Sequence, residues 1–167
     1  LVLRAMGHSF ICPCGQVRLW YGEVMTAQNS QHLLDWYSFS HLLFGMLVYG
    51  GMRMLLPEWS LRKRLVVTAM IAAGWEIGEN TPFLIDRYRD VTVSVNYTGD
   101  SVLNALGDTL AALAGFALAA TLPVWGSAAL FVAVEALTLW MARDGLLLSV
   151  LMVTAPLDVI RHWQAGA

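Results

Sequence analysis

Four stretches of this chain are apolar for about the 20 positions that an α-helix needs to cross a bilayer, and charged or turn-forming residues separate them. The pattern predicts span A over 33–56 ("LLDWYSFSHLLFGMLVYGGMRMLL"), span B over about 65–85, span C over 101–122 and span D over 124–142. Ser30 stands upstream of span A as its expected N-cap. A fifth segment, 145–160 ("GLLLSVLMVTAPLDVI"), is short and broken by Pro156, which fits either a short span or a re-entrant hairpin. The opening "LVLRAMG" reads as the tail of an apolar segment, a truncated N-terminal helix. Between B and C, "VTVSV" alternates like a strand and "NYTGD" reads as a turn; a lone strand has nothing to pair with, so this loop is expected to fold over the outer mouth of the bundle. The expected fold is all-α, a polytopic transmembrane helical bundle of four to five spans plus that N-terminal helix, forming one integral membrane domain over 1–167.

Composition points to the same solvent. The 167 residues are 57% hydrophobic and 13% charged, with a mean hydropathy of +0.59, whereas soluble domains carry about 25% charge. A net charge of −2 with ten Lys and Arg excludes nucleic acid as a partner, because a phosphate-binding face needs clustered cations. The densest basic cluster, Arg53, Arg62, Lys63 and Arg64, lies between spans A and B and should be cytoplasmic in a multi-pass protein of the bacterial inner membrane. Trp36, Tyr37, Trp125 and Trp140 fall near the expected membrane interfaces.

What lipid does not explain is a set of polar residues inside these runs. An ionised carboxylate near a bilayer centre costs about 2.5–3.5 kcal/mol on insertion scales, so it needs a partner, a proton or a use. Glu76, Glu79 and Asn80 share one face of span B, and Asp100, Asn104 and Asp108 share one face of span C. Span A contributes His41 and span D contributes Glu135. At about 1.5 Å per residue, Asp108 lies about 12 Å in from Asp100, Glu135 about 10 Å in from Ala142, His41 about 9 Å in from Asp35, and Glu76 about 13 Å in from Ile85 in a regular helix, or shallower if Pro82 breaks it near Asn80. Four helices thus offer ionisable groups at similar depth. Gly107, Ala111 and Gly115 form a small-residue series beside the Asn104/Asp108 face and predict close helix packing there. Either the acids satisfy one another as a structural network, with Arg87 and Arg89 neutralising them at the mouth, or they build a site for a metal, a proton or a polar ligand.

A second constellation is "HSFICPCG". Cys12 and Cys14 either pair with each other under strain, pair with a partner, or bind metal with His8 or His32. There is no Gly-rich phosphate loop, Ser-His-Asp spacing or nucleophile elbow.

Several long motifs carry a resemblance: "HSFICPCGQVRLWYG", "NSQHLLDWYSFSHLLFG", "GWEIGENTPFLIDRYR", "YTGDSVLNALGDTLA" and "PLDVIRHWQ". Across essentially the whole chain the sequence resembles an uncharacterised family of bacterial polytopic inner-membrane proteins defined only as a domain of unknown function. A looser similarity is to VanZ-like membrane proteins, through His41, Glu76 or Glu79, and "GDSVLNALGD" in that order; it implies a shared bundle with a polar pocket on the outer side. The expected function is therefore a periplasm-facing intramembrane pocket that binds a divalent metal ion or a lipid-like or anionic ligand. In that reading Glu76, Glu79 and Asp108 are the catalytic candidates for metal-assisted hydrolysis or transfer. His41, Glu76 and Asp108 are the metal ligands, and His41, Asn80, Arg87, Arg89, Asp100 and Asn104 contact the ligand. The alternative is a non-catalytic accessory or assembly subunit of a larger respiratory or photosynthetic membrane complex. Membrane lipids are partners in both.

Overall fold

The structure, a computed structural model, describes residues 1–92 and 96–166. Most of "VTVSV" lies outside the described residues. Among those described, eight helices and no strand are present: α1 (Val2–Ala5), α2 (Trp36–Leu55), α3 (Leu61–Glu79), α4 (Pro82–Val91), α5 (Val102–Thr121), α6 (Val124–Ala142), α7 (Leu146–Thr154) and α8 (Asp158–Ala165). The region between α1 and α2 is irregular; it is tied to the helices by backbone bonds from Val102 N and Leu103 N to the Ser9 and Phe10 carbonyls, and pairs with itself where Tyr21 N donates to the Leu34 carbonyl at 2.9 Å.

Spans C and D match α5 and α6 to within a residue. These two are long and apolar enough to cross a membrane. The other expected spans do not meet this standard, so two of the expected four to five are supported by length and hydropathy. α2 is long enough but carries His41 and Arg53, and α3 carries Arg62, Lys63, Arg64, Glu76 and Glu79. Span B is interrupted, because α3 ends at Glu79 and Pro82 opens α4 as an N-terminal proline, where its missing N–H leaves no helical bond unmade. The fifth segment is two pieces, and the nine residues of α7 extend only about 14 Å, too short to span.

Span A starts at Asp35 rather than Ser30. The Asp35 carboxylate accepts from Tyr37 N at 2.8 Å, and Ser38 Oγ accepts from Asp35 N at 3.1 Å, a reciprocal capping box. Ser30 serves the cap from outside: its N–H donates to Asp35 Oδ2 at 3.0 Å, with its backbone in the left-handed region at φ 59°.

The α2–α5 pair is the most extensive packing in the molecule. Gly45 sits against the Ala112 carbonyl, Gly107 against the Leu33 carbonyl and Gly115 against the Leu42 carbonyl, so the two backbones touch with no room for a Cβ. An apolar core of Leu43, Met46, Tyr49, Met52, Phe116 and Ala119 fills one end of this pair, with Tyr49 and Phe116 edge to face at 5.1 Å. The other end, formed by the start of α2, the end of α3 and the start of α5, is polar. It lies opposite the α2–α3 turn, where Arg64 donates to the Leu56 and Pro57 carbonyls at 3.1 and 2.8 Å.

α6 is inverted relative to a soluble helix. Its buried residues are Glu135 and Thr138, while Trp125 and Trp140 are 76% and 80% exposed. An apolar outer face of this kind belongs against lipid or another protein rather than water.

Gly115→Ala and Gly45→Ala each push a methyl into a backbone carbonyl of the facing helix. Each should destabilise the protein by about 1–3 kcal/mol, seen as a lower melting temperature in detergent; an unchanged melting temperature for both contradicts this packing.

Candidate functional site

The depth match expected along the helices is met by contact. His41 on α2 is 7% exposed, and its Nδ1 lies 3.2 Å from Glu76 Oε1 on α3. Its Nε2 lies 3.8 Å from Glu79 Oε2 and 3.9 Å from Asp108 Oδ2 on α5. The Nδ1 approach to Glu76 makes no hydrogen bond, so neither Glu76 oxygen has a hydrogen-bond partner among the described residues, and the same holds for Glu79 Oε2. Asp108 is fixed from the other side by Ser38 Oγ, which donates to its Oδ1 at 2.5 Å. One hydroxyl therefore both caps α2 and orients an acid of α5, and Ser38 is a site residue that residue-type reasoning missed. It stands three positions before His41, on the same helical face, which was the available signal.

Beside this cluster, Asn80 and Asp100 clasp each other. The Asn80 amide nitrogen donates to Asp100 Oδ2 at 2.7 Å and to the Glu76 carbonyl at 2.9 Å, while Asp100 N donates to Asn80 Oδ1 at 2.6 Å. Tyr97 Oη adds a donation to Asp100 Oδ1 at 3.0 Å, and Arg89 Nε holds the Tyr97 carbonyl at 2.6 Å, so the B–C loop does fold over this end of the helices. The start of α5 is held down as well: Ser101 N donates to the Ser30 carbonyl at 3.0 Å, and Val102 N and Leu103 N donate to the Ser9 and Phe10 carbonyls at 2.9 and 3.0 Å.

A cavity of about 320 Å³ opens among α2, α3, α5 and α7. Its lining combines ionisable groups, His41, Glu79, Asp100, Asp108 and Asp144, with apolar side chains, Phe44, Trp75, Leu146, Val150 and Val153. Tyr37, Tyr88 and Tyr97 line it as well. Asp144 comes from the turn between α6 and α7. Its carboxylate accepts from Gly145 N at 2.8 Å and Ser149 Oγ at 3.0 Å, which turns it inward.

Other candidates lie elsewhere. Glu76 is buried behind His41 and does not line the cavity. Asn104 is fully buried, and neither atom of its amide has a partner among the described residues. Arg87 donates to the Val153 carbonyl at 2.9 Å, tying α4 to α7, and Arg89 also pairs with Asp86 at 3.3 Å; neither lines this cavity. Glu135 matches the cluster in depth but faces another direction: its two oxygens accept from Leu146 N at 3.1 Å and Leu147 N at 2.9 Å, capping α7 from the flank of α6. His8 Nε2 contacts the Asn80 carbonyl at 3.1 Å. A disulfide joins Cys12 to Cys14.

Fold and site together describe an all-helical protein with two membrane-length helices and a buried histidine among acids beside a half-apolar cavity. Residues 3–166 match the family described as "Protein of unknown function (DUF2585)", and the chain belongs to that family. It is 48% identical to a UPF0314 protein of Paracoccus denitrificans, over 99% of this chain and 86% of that one. It is 49% identical to a UPF0314 protein of Sphingopyxis alaskensis, over 99% and 88% of the two chains. A UPF0314 protein of Sinorhizobium fredii is 48% identical, over 99% and 84%. No solved structure matches the chain significantly.

Burial pushes the Asp100 carboxyl up to about 7, against the lowering donation from Asn80, and pushes Asp144 up to about 6, against the Gly145 N–H and Ser149. Infrared titration should therefore show protonated-carboxyl absorption lost in steps near pH 6 and 7, the lower step absent in Asp144→Asn and the upper in Asp100→Asn. Loss of all such absorption near pH 4, the ordinary carboxylate range, contradicts the burial of these groups. Separately, Glu135→Ala strips two N–H groups of their acceptor at about 1–3 kcal/mol. Amide exchange at Leu146 and Leu147 should accelerate; unchanged exchange contradicts the cap.

Proposed function

We propose that this protein sits in the bacterial inner membrane and that its cavity faces the periplasm, binding a divalent cation together with the polar head of a lipid-like substrate. The observation that carries the reading is the mixed lining of one cavity, in which a histidine and four acids meet the apolar side chains of α7. A water-filled structural network would not need the apolar side chains, and a simple apolar groove would not need the acids. The orientation rests on the cavity's position opposite the basic α2–α3 turn. In this reading α2 and α3 lie in the membrane beside α5 and α6, their polar residues turned toward the cavity.

His41 Nε2 and Asp108 hold the cation, Glu79 lines the cavity beside them, and Glu76 stands 3.2 Å behind the imidazole at Nδ1, where a small turn of the ring would let it accept the Nδ1 proton. That would make the carboxylate–histidine arrangement that fixes which ring nitrogen meets a metal. Glu76 thus moves from metal ligand to supporting residue. The ligand atoms of this set do not all fall within 4.8 Å of one another, the spacing reached by Cys12, Cys14 and His32, so a bound ion draws the carboxylates inward or keeps water in its shell. An anionic head reaches the site through the cation, since Arg87 and Arg89 are engaged on carbonyl groups. The chemistry that such a site supports is metal-assisted hydrolysis or transfer, the cation polarising the head group and Glu79 taking a proton from the attacking water.

A second reading, an accessory or assembly subunit of a respiratory or photosynthetic membrane complex, draws on the exposed apolar face of α6. Migration in a native gel as a small particle after gentle extraction counts against it.

Protein purified without chelator should carry a divalent metal, and Asp108→Asn and His41→Gln should each lower its affinity by about 100-fold, measured by elemental analysis and competition titration. Metal-free native protein, with the same lipid content in wild type and both variants, would overturn the proposal.

A further inference from the structure

We propose that Cys12, Cys14 and His32 form a second, thiol-controlled site, which binds a thiophilic cation of the Cu(I) or Zn(II) type once a dithiol reductant has opened the Cys12–Cys14 disulfide. The site is separate from the cavity and uses none of its acids. A ring nitrogen of His32 and both sulfur atoms lie within 4.8 Å of one another, the spacing of a common coordination shell. Two thiolates and an imidazole make a soft donor set that selects Cu(I) or Zn(II) over the hard cations favoured by carboxylates.

The state of His32 is a second, independent observation. The side chain is 1% exposed, and its Nε2 lies 3.3 Å from Gln28 Oε1, an acceptor, so Nε2 carries the proton. Nδ1 is then a bare lone pair, buried, with no hydrogen-bond partner among the described residues. The Tyr21 ring, 4.9 Å away between centroids, packs against the imidazole. His8, the other imidazole near in sequence, is engaged at the Asn80 carbonyl and is not free for this role.

Access is arranged from one side. Cys12 is 2% exposed, whereas Cys14 is open to solvent, so an incoming thiolate meets the Cys14 sulfur first. Attack there forms a mixed disulfide with Cys14 and releases Cys12 as a thiolate, to which the Cys14 N–H already points at 3.2 Å. The reductant's second thiol then displaces Cys14, leaving two protein cysteines reduced and the reductant oxidised to its own disulfide, two electrons and two protons in all. Binding of the cation releases both thiol protons. The site is thus loaded only when reduced.

The test uses the full chain in detergent, reduced anaerobically with a dithiol, desalted and titrated separately with Cu(I), Zn(II) and, as a spectroscopic probe, Co(II). One cation should bind per chain, with two protons released and, for Co(II), a thiolate charge-transfer band that the carboxylate cavity cannot produce. The disulfide form should show no such band. Cys14→Ser and His32→Gln should each weaken binding by about 100-fold; His32→Gln should melt like the reduced wild type, and Cys14→Ser like the disulfide-free Cys12→Ser/Cys14→Ser. Comparison of the Cu(I) and Zn(II) affinities identifies the cation. Absence of the band in reduced protein, or His32→Gln binding as tightly as wild type, would overturn the proposal.

Discussion

Everything at the polar end of the molecule depends on how closely α2 and α5 approach. Gly45, Gly107 and Gly115 put backbone against backbone along most of the pair, and at that separation a serine hydroxyl is long enough to join them. Ser38 reaches Asp108 and still caps its own helix. His41, one turn on, then falls between the carboxylates of α3 and α5. A single added methyl along this seam would move helices that carry opposite sides of the site, so packing and chemistry are set by the same contact.

The second constraint is the solvent. Among the described residues, more polar than apolar side chains are buried, while tryptophans and branched aliphatics cover the outside of α6. In water this arrangement has its hydrophobic driving force reversed. In a bilayer it is the expected one, since association there rests on close packing of small residues and on polar contacts rather than on burial of hydrocarbon. The two membrane-length helices fit that setting; in α2 and α3 the cations gather at the connecting turn, and His41, Glu76 and Glu79 meet at the other end, beside the cavity.

Much of this was legible in the residues themselves. The agreement in depth of His41, Glu76 and Asp108 follows from the constant rise of a helix, and it survives in the distances. The glycine series on α5 announced its packing face, and α5 and α6 are bounded where their hydropathy ends. What was not legible depends on rotation and on local competition. Glu135 had the right depth and the wrong azimuth, and caps α7 instead. Ser30 and Asp35 are both good caps by type, and only the tertiary bonds of Ser30 to Asp35 and Ser101 decide between them. Arg87 and Arg89 read as anion receptors, yet backbone carbonyls of other segments, Val153 in the last turn of α7 and Tyr97 after α4, lie within reach and use them. Asp144 lay beyond a helix end and is turned inward by the backbone of Gly145. Two helices, α5 and α6, have both the length and the hydropathy of membrane spans; in α2 the polar His41 and Arg53, and in α3 the charges gathered at its two ends, lower the average.

The central claim is that the cavity bounded by His41, Glu79 and Asp108 is a binding site rather than a polar packing defect. A high-resolution density map of the protein extracted from its own membrane with lipid retained tests this most directly. The account predicts ordered density against His41 Nε2 and the two carboxylates, continuing as a chain along the apolar side chains of α7. A collapsed cavity, with α7 side chains filling it and the Glu79 and Asp108 carboxyls bonded only to neighbouring protein groups, would contradict it.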